Sequence, residues 1–185
     1  MAATHLHATR EDMRVAYLAA LAIVIHVVEA GLPSPLPGIK PGLANIVTVL
    51  VLMCFGLRTA AWVTLLRVVA GSLVVGSFLS PTFLMSFSGA VAALLALAAG
   101  GLVPGMGAVG YSVLAGMAHM ATQFSVAYLL FVPHPALWAM FPVFMTASVG
   151  FGVINGIIAA AILGRINTRT VQRPQQTMPL SQHGQ

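Results

Sequence analysis

The chain has 185 residues, 59% of them apolar and only 6% charged, against roughly 45–50% and about 25% in soluble domains. A soluble globule, a disordered chain and a coiled coil all need more polar surface, so this composition excludes them and leaves an integral membrane protein. Of eight basic and three acidic residues, Arg10, Glu11, Asp12 and Arg14 stand at the start and Arg165, Arg169 and Arg173 at the end. This pattern reads as anchoring at a membrane face rather than nucleic-acid binding. The single cysteine, Cys54, permits no internal disulfide and no cysteine metal cluster.

A helix crosses the hydrocarbon core with about 20 apolar residues. The first predicted span is Met13–Ala30, followed by a loop, Gly31–Gly42, that holds Pro33, Pro35, Pro37 and Pro41. A short helix, Leu43–Phe55, comes next, and after Gly56-Leu57-Arg58 a third runs over Thr59–Leu79. Ser80-Pro81 breaks the chain before a fourth helix, Thr82–Leu102. The glycines and proline of 100–107 form a turn, and the fifth helix is Ala108–Val132. Ala136–Leu163 is long for one straight span, so Pro142 is expected to separate an interfacial turn from a helix near Phe144–Leu163.

The expected architecture is an all-α integral membrane protein, a single domain of six transmembrane helices over residues 13–164. It lies between a cytoplasmic segment, 1–12, and a disordered basic, Gln-rich cytoplasmic tail, 165–185. An even number of spans puts both termini on one side. With that side inside, the cytoplasmic segments hold Arg10, Arg14, Arg58, Arg165, Arg169 and Arg173 and the outer loops only Lys40, as the positive-inside rule asks of a cell-membrane protein. A cleavable leader is the rival reading of the start, but Glu11 and Asp12 in the basic region and the lack of a small polar cleavage region argue against it.

Polar groups inside these spans are costly and therefore informative. Arg67 lies about 12 Å deep, at 1.5 Å per residue, with Thr64 and Gly71 on its face, so that Gly71 leaves room for the guanidinium. It reads either as a structural clamp on carbonyls or as an anion-binding or coupling residue. His26 and Glu29 are one turn apart, with no third ligand to complete a zinc site, so a polar cavity lining suits them better. Asn45 and Thr48 share a face of the second helix. Ser112, Gly116, His119 and Gln123 form one stripe on the fifth helix, and Ser148, Gly152, Asn155 and Ala159 repeat the spacing on the sixth. Such stripes are helix-packing seams or the walls of a pocket. Gly152 and Gly156, like Ala16 and Ala20, are small residues four apart, a weak signal in so Ala- and Gly-rich a chain.

No GxxxxGK[ST] loop is present. Asp12 is the sole aspartate, so no Asp-rich pair can hold Mg²⁺ and a diphosphate. Catalysis by this chain, a resident cofactor and a metal are therefore not expected. The candidate ligand-binding residues are His26, Glu29, Lys40, Asn45, His119 and Gln123, with Arg67 and Asn155 in a structural or coupling role. Lys40, as the sole charge of the outer loops, would attract an anionic group.

The run Pro37-Gly38-Ile39-Lys40-Pro41-Gly42-Leu43-Ala44-Asn45 resembles that of the Gx transporter family, also described as heptaprenyl diphosphate synthase component I. The likeness continues through Leu66-Arg67, Gly71-Ser72-Leu73, Gly76, Ser80-Pro81-Thr82-Phe83-Leu84, Ser88-Gly89, Ala118-His119 and Gln123, over about residues 13–164. Met120 departs from the Asn expected after the histidine. That family is similar to the substrate-binding S components of energy-coupling factor transporters. The resemblance implies six helices that capture a small solute beneath the first loop, from outside. The solute would be vitamin-like, flavin-related or an isoprenoid precursor, and the partners a transmembrane coupling protein with ATPases. The synthase description implies instead a non-catalytic membrane subunit beside a soluble prenyl diphosphate synthase.

Overall fold

A computed structural model describes residues 9–31 and 42–171, and all six helices are present: α1 (Arg10–Gly31), α2 (Leu43–Phe55), α3 (Leu57–Val75), α4 (Pro81–Gly100), α5 (Ala108–Leu130) and α6 (Pro135–Val171). Every helix but α2 is long and apolar enough to cross a membrane. Helices α3, α4, α5 and α6 pack in sequence, α2 closes the ring against α3, α5 and α6, and α1 lies outside against α3 and α2.

Local chemistry sets the helix ends. Thr9 caps α1: its Oγ1 accepts from the Asp12 N–H at 3.2 Å, while the Asp12 carboxylate accepts from the Thr9 N–H at 2.8 Å. α3 stops at Val75, four residues short of the expected Leu79, because Gly76 adopts a left-handed φ of 74°. The N–H of Ser77 reaches back to the Ser72 carbonyl at 2.8 Å, the bond that closes a Schellman turn. Ser80 then caps α4 by accepting from the Phe83 N–H at 3.3 Å, with Pro81 at the first helical position.

The sixth segment departs from expectation at Pro142 and at its end. Pro142 does not divide the sixth segment: α6 is one helix of 37 residues with Pro142 inside it. The proline forfeits a backbone hydrogen bond. Trp138 and Phe141 before and at its edge, and Phe144 after it, all pack on Phe124 of α5 and carry the helix through. The same helix continues past Leu163 to Val171, through the start of the segment expected to be a disordered tail; residues 172–185 lie outside the described residues. The proline-rich loop from 32 to 41, Lys40 included, lies outside them too.

α2 has 13 residues, about 20 Å at 1.5 Å per residue, and a single residue, Gly56, turns it into α3, which has 19. The pair runs antiparallel, Thr48 meeting Thr64 at equal distances from Gly56. The α2 N-terminus therefore falls short of the far end of α3 and lies within the depth of the bundle.

Candidate functional site: a polar cavity inside the bundle

Ring closure around a short α2 leaves a cavity of about 610 Å³, within the range of small-molecule sites. All six helices line it. Of the eight residues singled out from sequence, His26, Glu29, Asn45, Arg67, His119, Gln123 and Asn155 all face this space. Lys40 lies outside the described residues.

Glycines admit the two histidines. A Cβ on Gly71 of α3 would stand 2.7 Å from His26 Cδ2, so α1 delivers the imidazole through a notch only glycine leaves open. The space at Gly71 thus belongs to His26 and not, as expected, to the Arg67 guanidinium. On the opposite wall a Cβ on Gly89 of α4 would be 2.9 Å from His119 Cε1 and Nδ1 and 3.0 Å from Gln123 Cγ.

Around the α2 N-terminus the polar groups satisfy one another. Glu29, 5% exposed, accepts through Oε1 from the N–H groups of Gly42 and Leu43. A carboxylate there meets the positive end of the helix dipole and fills two donors that no helical carbonyl reaches. Asn155 Nδ2 donates to the Gly42 carbonyl at 3.2 Å, so α1 and α6 hold the same residue from two sides. Asn45 Nδ2 donates to the carbonyl of Ser112 at 3.3 Å. The hydroxyls of Thr48 and Thr64 pair at 3.1 Å across the α2–α3 interface. No group of three His, Cys, Asp or Glu among the described residues could hold a metal ion.

Arg67 stands apart. It follows ten residues of α3, about 15 Å along the helix, and its Nε is buried with no hydrogen-bond partner among the described residues. Glu29, on the same cavity wall, attracts the guanidinium by its charge without a hydrogen bond to Nε.

The stripes on α5 and α6 serve both purposes. Gly116, His119 and Gln123, with Ser148, Gly152 and Asn155, line the cavity. Lower in the seam a Cβ on Gly156 would lie 2.5 Å from Val109 Cα, and one on Gly152 2.8 Å from Val113 Cα, so these glycines also set the α5–α6 contact. Sequence reading passed over a third stripe: Thr82, Ser86, Ala90 and Ala93 present α4 to the same space, and their helical spacing of hydroxyl and small residues was the available signal. Phe83, Met85, Met120 and Phe151 add an apolar wall. Met120, where the resemblance led us to expect Asn, places a thioether on it.

The family model described as heptaprenyl diphosphate synthase component I matches residues 18–162. Comparison with curated proteins gives no match. Among solved structures the chain is similar to the S component of a bacterial ECF transporter, with a TM-score of 0.54 and 16% identity, covering 87% of this chain and 99% of that one. At that identity the likeness is one of fold. This chain, an all-helical membrane protein with an S-component-like fold, belongs to the heptaprenyl diphosphate synthase component I family.

Proposed function

We propose that the protein is a solute-capturing membrane subunit of the S-component type, set in the cell membrane with both termini cytoplasmic. It binds a small molecule from the outer face and works with a transmembrane coupling protein and its ATPases. The observation that carries this reading is the cavity: a space of small-molecule size, walled by all six helices, where a membrane protein would otherwise pack side chains. The residues proposed to hold the solute are His26, Asn45, His119 and Gln123, with Glu29 and Asn155 shaping the α2 end. Lys40 is proposed to attract it from the loop.

Native mass spectrometry of the gently extracted protein should show a retained small molecule. Ser86→Trp, which fills the cavity from α4, should abolish its retention while the variant still inserts. Retention undiminished in Ser86→Trp would place the solute elsewhere.

The family description favours a second reading, a non-catalytic membrane subunit of a polyprenyl diphosphate synthase. The chain has three acids, and the one in the cavity, Glu29, is committed to α2, so the carboxylate pairs that hold a metal–diphosphate would come from another chain. Co-purification of a soluble prenyl synthase, with product length or yield altered by this subunit, would favour it over solute capture.

A further inference from the structure

We infer that the captured solute is a small amphipathic monoanion whose carboxylate is bound by Arg67 and whose apolar body lies against Phe83, Met85, Met120 and Phe151. The inference rests on the solute-capture reading above and names the chemistry of the same cavity.

A guanidinium near the middle of a transmembrane helix costs about 2.5–3.5 kcal/mol on insertion scales, and Nε of Arg67 has no hydrogen-bond partner among the described residues, Glu29 offering only the attraction of its charge. Several neighbouring donors and acceptors are already engaged. Glu29 Oε1 is taken by the two N–H groups of α2, the Thr48 and Thr64 hydroxyls by each other, and the Asn45 and Asn155 amide N–H groups by backbone carbonyls. The cavity is thus built around an arginine whose Nε has a donor to give, and planar guanidinium suits a two-oxygen carboxylate.

Charge limits the solute further. Arg67 is the only lysine or arginine among the described residues lining the cavity, and Glu29 lines it as well. Among the described residues a diphosphate would meet one guanidinium, a carboxylate of its own sign and no metal-binding group of three. Sites for such anions gather several cations. Glu29 attracts the same guanidinium but spends Oε1 on α2, so the cavity has room at Nε for one further negative charge and not several, and the aromatic and thioether wall takes an apolar body.

The full-length protein in lipid nanodiscs would be titrated by calorimetry with 3-phenylpropionate, its neutral counterpart 3-phenylpropanamide, and isopentenyl diphosphate. The carboxylate should bind about tenfold or more tighter than the amide, the scale of a charge-assisted hydrogen bond. Arg67→Gln should erase that preference and Arg67→Lys keep part of it. Arg67→Gln should also melt no lower than the parent, whereas a structural clamp would lose stability. An amide equal to the carboxylate, a preference that survives Arg67→Gln, or a diphosphate that binds tighter than either would each overturn the inference. A neutral or cationic molecule found in the extracted protein would overturn it and leave solute capture standing. If nothing is retained and no probe binds, solute capture itself falls and takes the inference with it.

Discussion

Glu29 illustrates how an ionisable group is tolerated inside an apolar bundle. Its oxygen replaces two helical carbonyls that α2, at its first turn, does not have. Glu29→Ala would leave both N–H groups without their acceptor. Each unsatisfied buried donor costs about 1–3 kcal/mol. We expect a clear fall in the thermal midpoint for Glu29→Ala and a smaller one for Glu29→Gln, which keeps an oxygen at the same reach. Fluorescence-detected melting in detergent measures both, and equal midpoints for Glu29→Ala and the parent would show that α2 is held by other contacts. At this scale the sequence was informative about identity and silent about partnership. Polar residues such as His26, Glu29, Asn45, Arg67 and His119 are conspicuous in apolar runs because the bilayer penalises them. That Glu29 turns back to Gly42, thirteen residues on, depends on the path of a proline-rich segment, and local spacing holds no record of it.

The helices themselves were legible wherever an end is written in local chemistry. Ser80-Pro81 starts α4 and Gly107 precedes α5 because a cap or a break acts on its own neighbours. Pro142 misled because its effect is decided across the bundle, by the ring cluster on Phe124, and the shortness of α2 was visible without its consequence, a helix end deep in the bundle. The two glycines of α6 at 150 and 156 separate packing from propensity. Gly156 faces the Val109 backbone, where an added Cβ would meet Cα at 2.5 Å, whereas one on Gly150 would meet nothing within 4 Å. Gly156→Leu should therefore push α5 and α6 apart and destabilise the protein by at least the ~1–3 kcal/mol typical of overpacking. Gly150→Ala should leave stability unchanged or raise it by up to about 1 kcal/mol, the difference in helix propensity. Unfolding in mixed micelles of increasing denaturing detergent ranks the pair, and a ranking in the opposite order would refute the seam.

Across the whole molecule, charge and geometry agree on one end of the bundle. Glu11 and Arg14 of α1 share a hollow with Phe55 of α2 and Thr59 of α3, which places Arg10, Arg14 and Arg58 together. Leu163, two residues before Arg165, packs with Val49 and Ala108 towards the same end. The opposite end carries the segments around 76–80 and 131–134, which contain no lysine or arginine. Between them the surface is apolar: Tyr17, Leu21, Val24 and Val28 of α1, Leu95 of α4 and Ile154 and Ile157 of α6 are exposed, as lipid-facing side chains are. Basic residues resist translocation, so the arginine end should be cytoplasmic. The native thiol, Cys54, is exposed and would be removed as Cys54→Ser before single cysteines are placed. His134→Cys should then react with a membrane-impermeant maleimide in intact cells, and Leu102→Cys, in the turn at the arginine end, only after the cells are permeabilised. The reverse pattern would invert the protein in the membrane and put the solute's entry on the cytoplasmic side; labelling of both in intact cells would break the six-helix arrangement altogether.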